Sequence, residues 1–80
     1  MIEKPNTEGV NPPQELLNRL LGHYQNGRFS DAEMLAEHIT QMFPEHQFSW
    51  KVLGAVLLAS GRKPEALDAN QTAVALSPQD

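Results

Sequence analysis

The residues best equipped for chemistry in this chain are three histidines, His23, His38 and His46. A metal site or a proton relay would need two of them on one helix face at H-x-x-x-H spacing, or a carboxylate three or four residues away to complete a ligand set. Neither arrangement occurs. His23 reads as a partly buried packing residue on the core side of its helix, His38 as exposed, and His46 as part of a loop. The serines Ser30, Ser49, Ser60 and Ser77 fall at helix ends, where a hydroxyl caps backbone groups. None lies in a G-x-S-x-G elbow. No glycine-rich loop could cradle a phosphate, and the carboxylates stand singly on polar faces, not as a general acid–base pair. With no cysteine, disulfides and thiolate metal sites are excluded. The expectation is a chain without catalytic residues, metal or cofactor.

Charge and length narrow the classes further. Ten acidic and six basic residues give a net charge of −4. The basic residues are scattered, with only Arg62-Lys63 adjacent. Such a chain is poorly suited to the phosphate contacts that dominate nucleic-acid affinity, so no nucleic-acid partner is expected. The start, Met1 to Asn6, lacks the apolar stretch of a signal peptide. The most apolar run, Val52 to Ala59, is far short of the ~20 residues that span a bilayer, so no membrane association is expected and the cytoplasm is the default compartment. Eighty residues make at most one small domain.

Four helices must position whatever this chain presents. Residues 1–10 hold Pro5, Asn6, Thr7 and Gly9 without an apolar period and read as a flexible leader. Asn11 is a candidate cap, with Pro12 and Pro13 in a first turn and Gln14 as capping-box partner. Leu16, Leu17, Leu20, Leu21 and Tyr24 then trace one face of a helix over residues 12–26, stopped by Asn26-Gly27. Ser30 with Glu33 predicts a second capping box. The helix over 30–43 that follows buries Ala32, Leu35, Ala36, Ile39, Met42 and Phe43, and ends at Pro44. A third helix carries Phe48, Trp50, Leu53, Val56 and Leu57, closed by Ser60-Gly61. Pro64 opens a fourth, with Ala66, Leu67, Ala69, Ala73, Val74 and Leu76 on its apolar side and Ser77-Pro78 at its end.

The spacing carries more than any single residue. Gly27 and Gly61, Arg28 and Arg62, Ala32 and Ala66, and Pro44 and Pro78 are each 34 residues apart. These matches fall on a turn glycine, a small packing residue and a terminating proline, which a repeated helix hairpin would constrain. The constellation resembles the tetratricopeptide repeat family. The second unit (about 47–80) fits through Trp50, Leu53-Gly54, Leu57, Gly61, Ala66, Ala73 and Pro78. The first (about 13–46) fits through Leu16, Leu20, Tyr24, Gly27, Phe29, Ala32 and Pro44. It departs where Arg19 replaces an expected aliphatic residue and Leu20 an expected small one.

The resemblance implies an all-α fold of two helix-turn-helix hairpins over residues 11–80, a fragment of an α-solenoid, with Ala32 and Ala66 at close crossings and Trp50 as core packing. It implies a scaffold that binds a peptide or protein partner on the concave face lined by the first helix of each hairpin. The lining would be Gln14, Leu17, Leu21 and Tyr24, then Phe48, Lys51, Ala55 and Leu58. The grip on a terminal carboxylate used by chaperone adaptors of the family is disfavoured, because Leu17 and Leu21 stand where donors are required. The alternative is that these repeats precede the catalytic domain of a larger enzyme, an O-linked N-acetylglucosamine transferase-like glycosyltransferase or a sulfotransferase. They would then position a protein substrate. Repeat proteins bury apolar faces against neighbours, so Leu67 and Val74 are expected to pack against a following repeat or to pair the last helix with its own copy in a homo-oligomer.

Overall fold

The computed structural model describes residues 11–76. Four α-helices follow one another: α1 (Gln14–Gln25), α2 (Phe29–Met42), α3 (Gln47–Ala59) and α4 (Lys63–Leu76). No strand occurs among the described residues, so the all-α class expected from the sequence is observed. The expected leader over residues 1–10 and the Ser77-Pro78 terminator lie outside the described residues. Each helix packs against its neighbours in the chain, α1 on α2, α2 on α3 and α3 on α4. The connections are short, which makes those neighbours antiparallel.

The hairpin turns show the 34-residue spacing in their backbone geometry. After α1, Gly27 takes φ +76°; after α3, Gly61 takes φ +84°. The Arg28 amide donates to the His23 carbonyl at 2.9 Å and the Gly27 amide to Tyr24 at 3.2 Å. Thirty-four residues on, Arg62 donates to Leu57 at 2.8 Å and Gly61 to Leu58 at 3.0 Å. This paired pattern around a left-handed residue is the Schellman ending, and it satisfies the orphan carbonyls of α1 and α3 alike. The next helix then starts the same way in both hairpins: Ala32 and Ala66 each donate to the carbonyl of the preceding arginine at 2.9 Å.

The core runs along the helix interfaces and joins Leu20, Ala32, Ala36, Ile39, Phe43, Val52, Leu53, Val56, Leu57, Ala66 and Ala69. Leu20, Ile39 and Val56 are fully buried, each contributing about 1.5–3 kcal/mol of apolar burial. The helix most nearly surrounded is α3, which buries Ser49, Val52, Leu53, Gly54, Val56 and Leu57 between its two neighbours. Trp50 packs on this core and donates its indole N–H to the Pro44 carbonyl at 2.8 Å, tying α3 back to the loop after α2.

Several local expectations are corrected. The first helix begins at Gln14, not at residue 12, and Pro13 precedes it with ψ 142° and no side-chain cap. Two adjacent prolines explain this, since Pro13 disfavours helical backbone at Pro12. The Gln14 side chain, freed from the expected capping box, donates instead from Nε2 to Asn18 Oδ1 at 3.0 Å. Ser30 does not cap α2 either. The turn launches that helix from Phe29 with no side-chain cap, and the Glu33 carboxylate is drawn into an ion pair with Arg62. Met42 is exposed while Thr40, two residues earlier, is buried and donates its hydroxyl to the Glu37 carbonyl at 3.0 Å. Apart from these corrections, Leu67 and Val74 stand on the surface, as does Phe48, whose ring lies edge-on to His46 at 6.4 Å between centroids.

Candidate functional site

The eight residues expected to line a binding face fall on two equivalent stripes. Gln14, Leu17, Leu21 and Tyr24 recur at spacings of three, four and three along α1, and Phe48, Lys51, Ala55 and Leu58 repeat that pattern along α3. Such spacing keeps all four side chains of a set on one helix face. On α1 the stripe is only partly open. Leu17 and Leu21 are half-buried, and Tyr24 packs on Phe29 with ring centroids 5.8 Å apart and planes tilted by 58°. Gln14 is exposed. On α3 the stripe is freer: Phe48 is 43% exposed and Leu58 55%, Lys51 is exposed and Ala55 half-buried. The α3 stripe thus offers two apolar contacts flanking one ammonium, suited to an apolar peptide segment with a hydrogen-bond acceptor or a carboxylate.

A second concavity was not foreseen. An open groove of about 590 Å³ lies between α1 and α2, lined by Arg19, His23, Asp31, Met34, Leu35 and His38. None of the eight stripe residues borders it. His23 is half-buried at its edge and His38 exposed, as their helix positions implied. The signal that could have located it is Arg19 itself, a charged residue where the aligned position of the second hairpin has buried Leu53. Arg19 remains on the surface beside Glu15, 3.8 Å away.

His46, expected in a loop, is the residue that caps α3. Its Nδ1 accepts the Ser49 backbone N–H at 3.3 Å and lies 2.7 Å from the fully buried Ser49 hydroxyl, which donates to it. An accepting Nδ1 requires the neutral ring with its proton on Nε2. Burial pushes the His46 imidazole below its ordinary value of 6.5, in agreement with that role. Among the described residues no group of three or more His, Asp or Glu is placed to hold a metal ion, and no helix is long and apolar enough to cross a membrane.

The described residues form an all-α chain of two helix hairpins. No family model, curated protein or solved structure matches it.

Proposed function

We propose that this chain is a helical-repeat scaffold of the tetratricopeptide type, which holds a peptide or protein segment against the first helices of its hairpins. The observation that carries this reading is the α3 stripe. On a helix otherwise surrounded by packing partners, Phe48 and Leu58 stay 43% and 55% exposed on either side of Lys51. Phe48 keeps this exposure although its ring stands edge-on to His46, 6.4 Å between centroids, and the stripe stands in the same register as Gln14, Leu17, Leu21 and Tyr24 on α1. Repetition of the turn geometry across 34 residues supports the repeat reading. In this reading the module binds and positions. Apolar contact with Phe48 and Leu58 supplies affinity, and Lys51 selects segments with an acceptor or carboxylate.

The test compares partners captured by the wild-type chain with those captured by Lys51→Glu/Leu58→Glu. Both residues are exposed, so helical circular dichroism should be unchanged. Loss of a specific partner with the fold intact supports the stripe, whereas an unchanged partner set moves recognition elsewhere on the molecule.

A further inference from the structure

Of α1, α2 and α3, only α3 begins on a side-chain cap, and α3 also carries the freer stripe. Cap and stripe meet at one ring. His46 Nδ1 accepts the Ser49 backbone N–H at 3.3 Å and the Ser49 hydroxyl at 2.7 Å. Phe48, the first residue of the stripe, stands edge-on to the same imidazole, with centroids 6.4 Å apart and planes at 80°. The chain leading into the cap is held separately. The His46 amide donates to the Phe43 carbonyl at 3.0 Å, and the Trp50 indole donates to the Pro44 carbonyl at 2.8 Å. Release of the ring would therefore act on the first turn of α3 and leave the loop before it in place.

The ring holds that turn only while it is neutral. A proton on Nδ1 turns the acceptor into a donor, so the Ser49 N–H faces another N–H. The imidazolium would also sit at the positive end of the α3 dipole. If the Ser49 hydroxyl reverses to accept from the ring, its own hydrogen needs a new acceptor at a fully buried position. No neighbouring charge offsets these losses. Glu45 in the loop, Lys51 further along α3 and His38, the last titratable group of α2, are all exposed. Both ion pairs among the described residues lie elsewhere, and burial is what holds the imidazole below its ordinary value. We infer that His46 is an acid-operated latch on the binding stripe: its protonation frees the first turn of α3, and with it the fixed position of Phe48. The stripe is set above the His46 titration and loosened below it, so a partner held through Phe48 is released on acidification. This regulatory role rests on the stripe being the binding face, but the latch itself is read in the chain alone.

An NMR titration of the 80-residue chain tests the latch, run from about pH 7.5 to about pH 5 to span the histidine range. The His46 ring should titrate below 6.5. With the same midpoint, protection of the Ser49 amide against hydrogen exchange should fall about fivefold, the size of an ordinary cap, and the Phe48 ring signals should move. The Val56 amide in the middle of α3 should keep its protection. His46→Asn supplies a capping acceptor that does not titrate in this range, and should remove both changes. Leu58→Glu, at the far end of the stripe, should keep them although it weakens partner capture, so the latch and the stripe can fail independently. Ser49 protection that stays constant while His46 titrates overturns the proposal, as do changes that survive in His46→Asn. An equal loss at Val56 overturns it too, because the acid response would then be unfolding of the whole helix.

Discussion

The two hairpins solve one crossing in opposite ways. In the first, Leu20 on α1 and Ala36 on α2 are both fully buried. In the second, the corresponding positions hold Gly54 on α3 and Asn70 on α4, and a Cβ at Gly54 would overlap the Asn70 side chain. Bulk on the first helix and a small residue on the second has become the reverse. What differs between the hairpins is which helix supplies the bulk at this position, whereas the small buried residues Ala32 and Ala66 are kept. The turns behave differently. Backbone geometry demands glycine at both 27 and 61, and no partner can compensate for its loss.

That contrast can be broken by substitution. Leu20→Ala removes a fully buried side chain that nothing nearby can replace, and should cost about 2–5 kcal/mol in denaturant unfolding. A second comparison uses Thr40 on α2, which is buried, and its counterpart 34 residues on, the exposed Val74 of α4. Thr40→Lys forces an ammonium into a buried position and should cost more than about 2 kcal/mol, while Val74→Lys should change stability by no more than about 0.5 kcal/mol. Equal losses at the two sites would contradict the difference in burial between Thr40 and Val74. Gly27→Ala and Gly61→Ala each put a side chain in the left-handed region and should cost about 1–2 kcal/mol. The two losses should agree, because the two turns make the same bonds.

The His46 cap makes stability depend on pH. The folded imidazole titrates below 6.5, so the unfolded chain takes up the proton first. The cap's contribution, about 1 kcal/mol, is complete above the unfolded value and lost as pH falls through the folded one. His46→Asn keeps a capping acceptor that does not titrate there, and should flatten that part of the stability profile. The smallest effect belongs to the second crossing. Gly54→Ala should be better tolerated in an Asn70→Ala background than in the wild type, where the added Cβ meets the Asn70 side chain, with a coupling of about 0.5 kcal/mol or more in a double-mutant cycle. Strict additivity would show that Gly54 and Asn70 do not share the crossing.

What the sequence revealed, and what it hid, divides along physical lines. Gly27, Gly61, Ala32 and Ala66 were legible because local geometry or close approach restricts each to few residue types, and their spacing exposed the hairpins. Helix starts were less legible. Asn11 and Ser30 have capping side chains, yet the adjacent prolines and the Schellman turn settled the starts by backbone geometry. His46 is an uncommon cap, and only its approach to Ser49 identifies it. Periodicity placed Met42 on the apolar stripe of α2 and passed over Thr40, yet Thr40 is the one buried, because packing against the neighbouring helices, a tertiary fact, decides which side of the helix is covered. The binding stripes could be read as positions, but how much of each stays open after packing could not. The groove around Arg19 went unnoticed because its residues come from two helices and share no motif.

The central claim is that residues 14–42 and 48–76 are two copies of one structural unit. An experimentally determined structure tests it most directly, by superposing the Cα atoms of the first segment on those of the second. The account predicts agreement through both helices and the turn to within about 1 Å, the scale on which a preserved backbone arrangement repeats. Positive φ should appear at both Gly27 and Gly61. Helix pairs that cross at different angles, or a turn at Gly27 bonded differently from the turn at Gly61, would contradict it.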